Sequence, residues 1–225
     1  MELNADFSQR VVVHAARAPW IASPMPGVER RMLDRIGEEV ARATSIVRYA
    51  PGSRFSAHTH GGGEEFFVLE GVFQDEHGDY PVGSYVRNPP TSSHVPRSDV
   101  GCVIFVKLWQ FSPDDRTRVR IDTATMAFLP ADDRPGVELM PLFRDSSEQV
   151  SLERWASDAE VVLAADGGIE ILVLAGEFSD GVEQLTSMSW LRLPPGSRLR
   201  GKAGPVGCKL WIKSGHLLSQ STGAT

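Results

Sequence analysis

EEFFVLEGVF (Glu64–Phe73) and IEILVLAGEF (Ile169–Phe178) are two versions of one segment, and their alignment decides how the chain is organised. A second pair, SYVRNPPTS (Ser84–Ser92) and SWLRLPPGS (Ser189–Ser197), keeps the same spacing, since 169 − 64 = 105 and 194 − 89 = 105. Further echoes are SIVRYA from Ser45 with SLERWA from Ser151, PGVE at Pro26 and at Pro135, and VGCVIFVK from Val100 with VGCKLWIK from Val206. Self-similarity at a fixed period marks a structural unit used more than once. The outer echoes drift by a few residues, as loop insertions around a shared scaffold would make them do. The polar stretch SPDDRTR (Ser112–Arg118) is the natural boundary, giving units of 1–112 and 113–225.

Within each unit the apolar segments are short, rich in Val, Ile, Phe, Tyr and Trp, and punctuated by Gly, Pro, Asp and Asn at intervals of about eight to twelve residues, a pattern of antiparallel β-structure. Glu65–Leu69 and Cys102–Trp109 are almost continuously apolar, as expected of strands packed on both faces. A closed or sandwiched barrel hides strand edges that an open sheet would expose, so the fold class is all-β with two barrels in tandem. The best helix candidate is LDRIGEEVARA (Leu33–Ala43).

The chain has 225 residues, a formal charge of -6, 41% hydrophobic and 23% charged residues, which suits a globular protein with a sizeable core. Lys and Arg are scattered and outnumbered, so no basic face offers itself to nucleic acid. No stretch reaches the 18 apolar residues of a membrane span, and the N-terminus lacks a signal-peptide pattern, so a cytoplasmic location is expected. Two cysteines without CxxC spacing exclude a zinc finger. Cys102 and Cys208 each follow a glycine and open an apolar strand, and are read as small core residues.

The first unit carries His58-Thr59-His60, then Glu64, and later His94. Strand residues two apart face the same way, so His58 and His60 share one focus. Gly61-Gly62-Gly63 lets the backbone bend before Glu64. Three imidazoles and a carboxylate suit iron, manganese, nickel, cobalt or zinc and not calcium or magnesium. Glu65 competes with Glu64, but alternation puts them on opposite faces and the spacing from Glu64 to Gly71 matches the repeat, which favours Glu64. Six-coordination would leave two positions for water or substrate, whereas a four-coordinate zinc would be closed. His14, His77 and His216 have no partner at ligand spacing. Arg48, Arg54 and Lys107 are candidates for anchoring an anionic ligand.

Moving 105 residues along from the four ligands gives Leu163, Ala165, Ile169 and Leu199. Apolar replacement removes the cost of burying polar groups with no metal to pair them, so the second unit is expected to be metal-free.

GSRFSAHTHGGGEEFFVLEG (from Gly52) resembles the first cupin motif, and GSYVRNPPTSSH (from Gly83) the second, with Thr91 standing where that motif has Gly and Ser98 where Asn is usual. The resemblance implies double-stranded β-helix (jelly-roll) barrels and, with the repeat, a bicupin. More narrowly, residues 58–96 resemble the cupin domain of ChrR-type anti-sigma factors, in which the matching residues, here His58, His60, Glu64 and His94, bind zinc. That resemblance implies one divalent metal, zinc first, with iron, manganese or nickel as alternatives, and a partner in a sigma-factor pathway. ChrR-type proteins hold the sigma factor with a separate N-terminal helical domain bearing a His and a CxxC. No such motif precedes this cupin, so a sensory or regulatory module responding to a small ligand or an oxidant is expected. The alternative is a cupin enzyme of the dioxygenase, oxalate-degrading or isomerase type. Cupins also commonly pair, so a homodimer is compatible with both.

Overall fold

Strands make up nearly all the regular structure of the computed structural model, which describes residues 1–38 and 40–218. Among the described residues the helical elements are two single turns, Ala15–Arg17 and Thr123–Thr125. The protein is thus all-β. It divides into two units, Met1–Ala5 with Ala18–Thr125, and Asp6–Arg17 with Met126–Thr225.

This division differs from a boundary at 112/113, because strand pairing continues past the polar loop. Val119–Asp122 pairs antiparallel with Ser84–Asn88, from Arg87↔Val119 to Ser84↔Asp122, and so belongs to the first unit. Val11–His14 pairs in the same way with Ser189–Leu193, from Val11↔Arg192 to His14↔Ser189, and so belongs to the second. Each of these strands follows an arginine and leads into one of the two helical turns. A polar, Pro-containing stretch marks a loop; which sheet the next strand joins is decided by backbone hydrogen bonds that composition does not encode.

The main sheets have the same strand order. In the first unit it runs Val28–Gly37, Ala41–Tyr49, Cys102–Leu108, Glu64–Asp75, Ser84–Asn88, Val119–Asp122. In the second it runs Val137–Arg144, Gln149–Trp155, Ser197–Ser214, Ile169–Ser179, Ser189–Leu193, Val11–His14. One pair of close approaches repeats as well. A Cβ at Gly71 would stand 2.0 Å from the Gly101 carbonyl oxygen, and one at Gly176 2.1 Å from that of Gly207, so both crossings require glycine.

Leu33–Ala43 is not helical. Val28–Gly37 and Ala41–Tyr49 form an antiparallel hairpin over that stretch, with Gly37 at φ +114 in the turn. Helix propensity is a weak prior, and Ala41–Tyr49 gains ladders on both sides, to Val28–Gly37 and to Cys102–Leu108, which outweigh it. The register of the hairpin shifts between Met32 and Asp34, with Leu33 the fully buried extra residue. Such a bulge reverses which side chains face which way.

The core of the first unit contains Phe66, Phe73 and Tyr80, with Phe66 and Phe73 ring centroids 4.7 Å apart. That of the second is mostly aliphatic, with Trp155 and Phe178 at 5.2 Å.

Candidate metal centre

His58 and His94 are cross-strand partners in a two-stranded piece formed by His58–Thr59 and Ser93–His94. His60 follows on the same strand face, its backbone N–H donating to the Ser92 carbonyl at 2.8 Å. The three imidazoles offer ligand nitrogens within 4.8 Å of one another. Among the described residues, no other group of three or more His, Cys, Asp or Glu side chains gathers so closely.

Glu64 opens the strand Glu64–Asp75 beside them, and its Oε2 lies 3.6 Å from the Nε2 of both His60 and His94. That distance is too long for a hydrogen bond. The two Nε2 atoms are fully buried and have no hydrogen-bond partner. Buried nitrogens converging on a carboxylate without touching it leave a gap of the size an ion bonded to each at about 2.1 Å would fill. The residues present therefore fit a transition metal.

Groups behind the histidines aim them. Asp75 Oδ2 faces Nδ1 of His94 at 3.4 Å and also receives the Tyr80 hydroxyl at 3.3 Å. The other Asp75 oxygen accepts the His77 backbone N–H at 2.7 Å. Nδ1 of His58 is 3.3 Å from the Ser56 carbonyl oxygen. Both imidazoles thereby turn Nε2 to the centre, the arrangement by which outer groups fix the tautomer of metal-bound histidines. Asn88 donates to Glu64 Oε2 at 3.2 Å. Phe73 lies against the His94 ring at 5.8 Å between centroids.

The electrostatics separate the histidines. Burial lowers the pKa of His60 despite the attraction of Glu64. Burial acts in the same direction on His94, but its contact with Asp75 and the charge of Glu64 outweigh it and raise the pKa. Asp75 is held below the usual carboxylate range because its bonds to His94 and to the His77 backbone outweigh its burial.

Glu65 points the other way, accepting the Tyr85 hydroxyl at 2.5 Å and facing Arg87 at 3.8 Å. The alternation that separates the two glutamates holds. The glycine run acts differently from the expected bend: Gly63 alone of the three has positive φ, +78. Gly61 and Gly62 provide room for Trp109, whose ring would stand 2.8 Å and 2.4 Å from a Cβ at those positions.

A cavity of about 360 Å³ opens over the site and is lined by His58, His60, Glu64 and Tyr49. None of the three suggested anion anchors lines it. Arg48 pairs with Glu29 and stacks on Trp20, Arg54 pairs with Asp99 at 3.1 Å, and Lys107 donates to Thr44 at 2.9 Å. Arg30 and Arg35 line the cavity instead. Arg35 lies in Leu33–Ala43, the segment expected to be a helix, and Arg30 just before it, so their shared facing was not legible. Asp75 was missed too; the sequence around it, DEHGDY, reads as a turn, and only contact with His94 reveals its role.

The remaining histidines lie elsewhere. His14 bonds Ser189 and Glu183 at 2.9 and 3.0 Å, His216 bonds Glu170 at 2.9 Å, and His77 sits beside Glu76 in a loop. Cys102 and Cys208 are buried, which pushes their thiols up to about 11 and about 12.

At the equivalent places in the second unit, Leu163 and Leu199 are cross-strand partners as His58 and His94 are, and Ile169 pairs with Leu193 as Glu64 pairs with Asn88. Ala165, Ile169 and Leu199 are core residues, with Leu163 packed against them.

Residues 8–112 match the ChrR Cupin-like domain family. Solved structures share the fold across nearly the whole chain. A protein from Nostoc punctiforme, provisionally described as a dioxygenase, superposes with a TM-score of 0.75 at 16% identity, covering 94% of this chain and 84% of that one. The bacterial pirin YhhW from Escherichia coli, in complex with nickel(II), gives 0.61 at 15%, covering 92% and 98%. A salicylate 1,2-dioxygenase variant from Pseudoaminobacter salicylatoxidans gives 0.58 at 12%, covering 80% and 73%. A search of curated proteins returns no match. Among the described residues, no helix is long and apolar enough to cross a membrane.

Proposed function

We propose that the chain is a bicupin whose first unit holds one divalent transition metal through His58, His60, His94 and Glu64, and uses it to act on a small molecule bound in the cavity above. The observation that carries this reading is the convergence of buried, unpartnered Nε2 atoms of His60 and His94 with Glu64 at the floor of that cavity. Held by these four residues, such a metal would supply a Lewis acid toward a substrate oxygen. The chain's own groups do the rest. Asp75, the Ser56 carbonyl and Asn88 orient the ligands. Tyr49 presents a phenol whose pKa is pushed up by burial and by the Glu64 charge, so it stays a proton donor at neutral pH. A donor besides the ligands, in a cavity of substrate size, supports an enzyme.

A second reading, a regulatory module sensing a ligand or oxidant through the same metal in a sigma-factor pathway, is supported by the match of residues 8–112 to the ChrR-like domain. Elemental analysis of the protein as purified, beside a His58→Ala, His60→Ala double variant, tests both. Near-stoichiometric metal lost in the variant is expected. Iron or manganese with oxygen uptake favours the enzyme, and zinc without turnover favours the sensor. Equal metal content in the two proteins, or none in either, overturns the site. Asp75→Asn should keep the fold while weakening metal affinity about 10- to 100-fold.

A further inference from the structure

We propose that the cavity of the first unit is also an anion site, in which Arg30 and Arg35 receive the carboxylate of a small organic acid whose apolar body lies against Val47, Val106 and Leu108. This rests on the reading above that the cavity takes a small molecule.

The arginines reach the cavity through the bulge. Cross-strand pairs place Val28 opposite Tyr49, Arg30 opposite Val47 and Met32 opposite Ser45, and directly paired residues share a face. Without the bulge, strict alternation over the five steps from Arg30 would put Arg35 on the opposite face. With it, Arg35 pairs with Ala43, and both guanidinium-bearing residues share the face of Ala43, Val47 and Tyr49, which line the cavity. They also line a neighbouring cavity of about 550 Å³ beside Ile21–Met25.

Their charges are poorly compensated. Arg35 is 7% exposed, and among the described residues neither arginine meets a carboxylate at salt-bridge distance. Arg30 donates to Ser23 Oγ at 2.7 Å and Arg35 to the Glu38 carbonyl, which leaves most of their five N–H donors each for a ligand. Burial and the like charge of Arg30 lower the pKa of Arg35, with Glu38 opposing. The Glu38 carboxylate is engaged by the N-terminal amine. Among the described residues that line the cavity, the acidic group is Glu64, assigned to the metal. Two guanidinium groups and a divalent ion against one carboxylate leave the space positive, and a ligand anion would relieve the burial of unpaired charge.

Planar guanidinium forks match a carboxylate in two-pronged fashion. The rest of the lining favours an apolar body: Val47, Val106 and Leu108 lie inside, and Met25, Val40 and Trp109, all substantially exposed, stand round it. A short aromatic or alkyl acid satisfies both halves.

The test is calorimetric titration of the metal-loaded protein with benzoate and octanoate, with their neutral amides as isosteres, and with inorganic phosphate. The acids are expected to bind about tenfold or more tightly than the amides. In Arg30→Gln that preference should vanish while metal content stays at the wild-type level, and Arg30→Lys should restore part of it. Arg35→Gln should behave alike; since it also loses a buried backbone contact, the acid-to-amide comparison on unaltered protein serves as the independent measurement. Equal binding of acid and amide, or a preference untouched by Arg30→Gln, overturns the anion site. Phosphate binding as tight as the acids overturns the carboxylate assignment. If the protein proves to hold no metal and the acid preference still depends on Arg30, the anion site stands while the metal reading fails.

Discussion

At the pole that holds three histidines in the first unit, the strands are fragments of two residues: Ser53–Arg54, His58–Thr59, Ser93–His94 and Arg97–Ser98. At the same pole of the second unit, Glu160–Ala165 pairs over its full length with Ser197–Ser214, an uninterrupted strand of 18 residues. At two matched positions the backbone differs as well. Thr91 and Trp109 adopt φ of 74° and 59°, whereas the counterparts of these residues, 105 and 106 positions on, are Gly196 and Gly215 at 79° and 93°. Each glycine adopts that conformation without a Cβ penalty. The pole with the polar site carries broken ladders and two strained residues; the matching pole of the second unit has a continuous ladder and glycines at those two positions, while that unit's own non-glycine residues at positive φ, Asp158 and Met188, lie elsewhere. Held strain of this kind gathers at functional sites.

Exchanging the two interiors should break this comparison most sharply. Ile169→Glu places a carboxylate in the apolar core of the second unit with no metal ligands around it, and is expected to destabilise by about 3–5 kcal/mol in urea unfolding. Glu64→Ile should abolish stoichiometric metal binding and leave the metal-free protein as stable as its parent or more so. If Ile169→Glu is tolerated and Glu64→Ile keeps its metal, the two poles are not what their side chains indicate.

A smaller effect concerns the strand Val11–His14. Arg10 donates to Asp180 Oδ2 at 2.6 Å and to Glu183 at 2.9 Å, fastening that segment within the second unit. Burial pushes the Asp180 carboxyl up, but its backbone bond from Glu183 and its pairing with Arg10 hold it below its ordinary 3.8. A carboxyl depressed in the folded state contributes stability above its unfolded pKa, and that contribution is lost as pH falls through the folded value. Arg10→Ala should therefore cost about 1 kcal/mol at pH 7, allowing for solvent screening of the part-exposed arginine, and nothing at a pH where Asp180 and Glu183 are both protonated. An unchanged penalty in acid would assign the loss to packing.

The mildest change addresses the strain. Thr91→Gly should stabilise the first unit by about 1 kcal/mol and Gly196→Thr should destabilise the second by a similar amount, since nothing lies within 4 Å of a Cβ at Gly196 and the backbone alone is at issue. Paired thermal denaturation measures both. Opposite signs uphold the strained-versus-relaxed comparison, and equal signs remove it.

How much of this was written in the sequence differs from element to element. The repeat marked the two copies of one strand order because an all-β scaffold reuses apolar segments that must pack alike, and the same alignment located four apolar residues where the first unit has His58, His60, Glu64 and His94. Period-two alternation separated Glu64 from Glu65. These features are local or periodic, so residue order alone contains them.

Other features were settled by tertiary structure. Leu33–Ala43 became a hairpin because neighbouring strands supplied ladders that its helix propensity could not match. Val11–His14 joined the second unit, and Val119–Asp122 the first, through hydrogen bonds between segments far apart in the chain. Asp75 came behind His94, and a single-residue bulge turned Arg35 to the face of Arg30. Each of these depends on register, and one residue of slip sends every later side chain to the opposite face, so composition and spacing determined which groups the protein has while backbone pairing decided which of them meet.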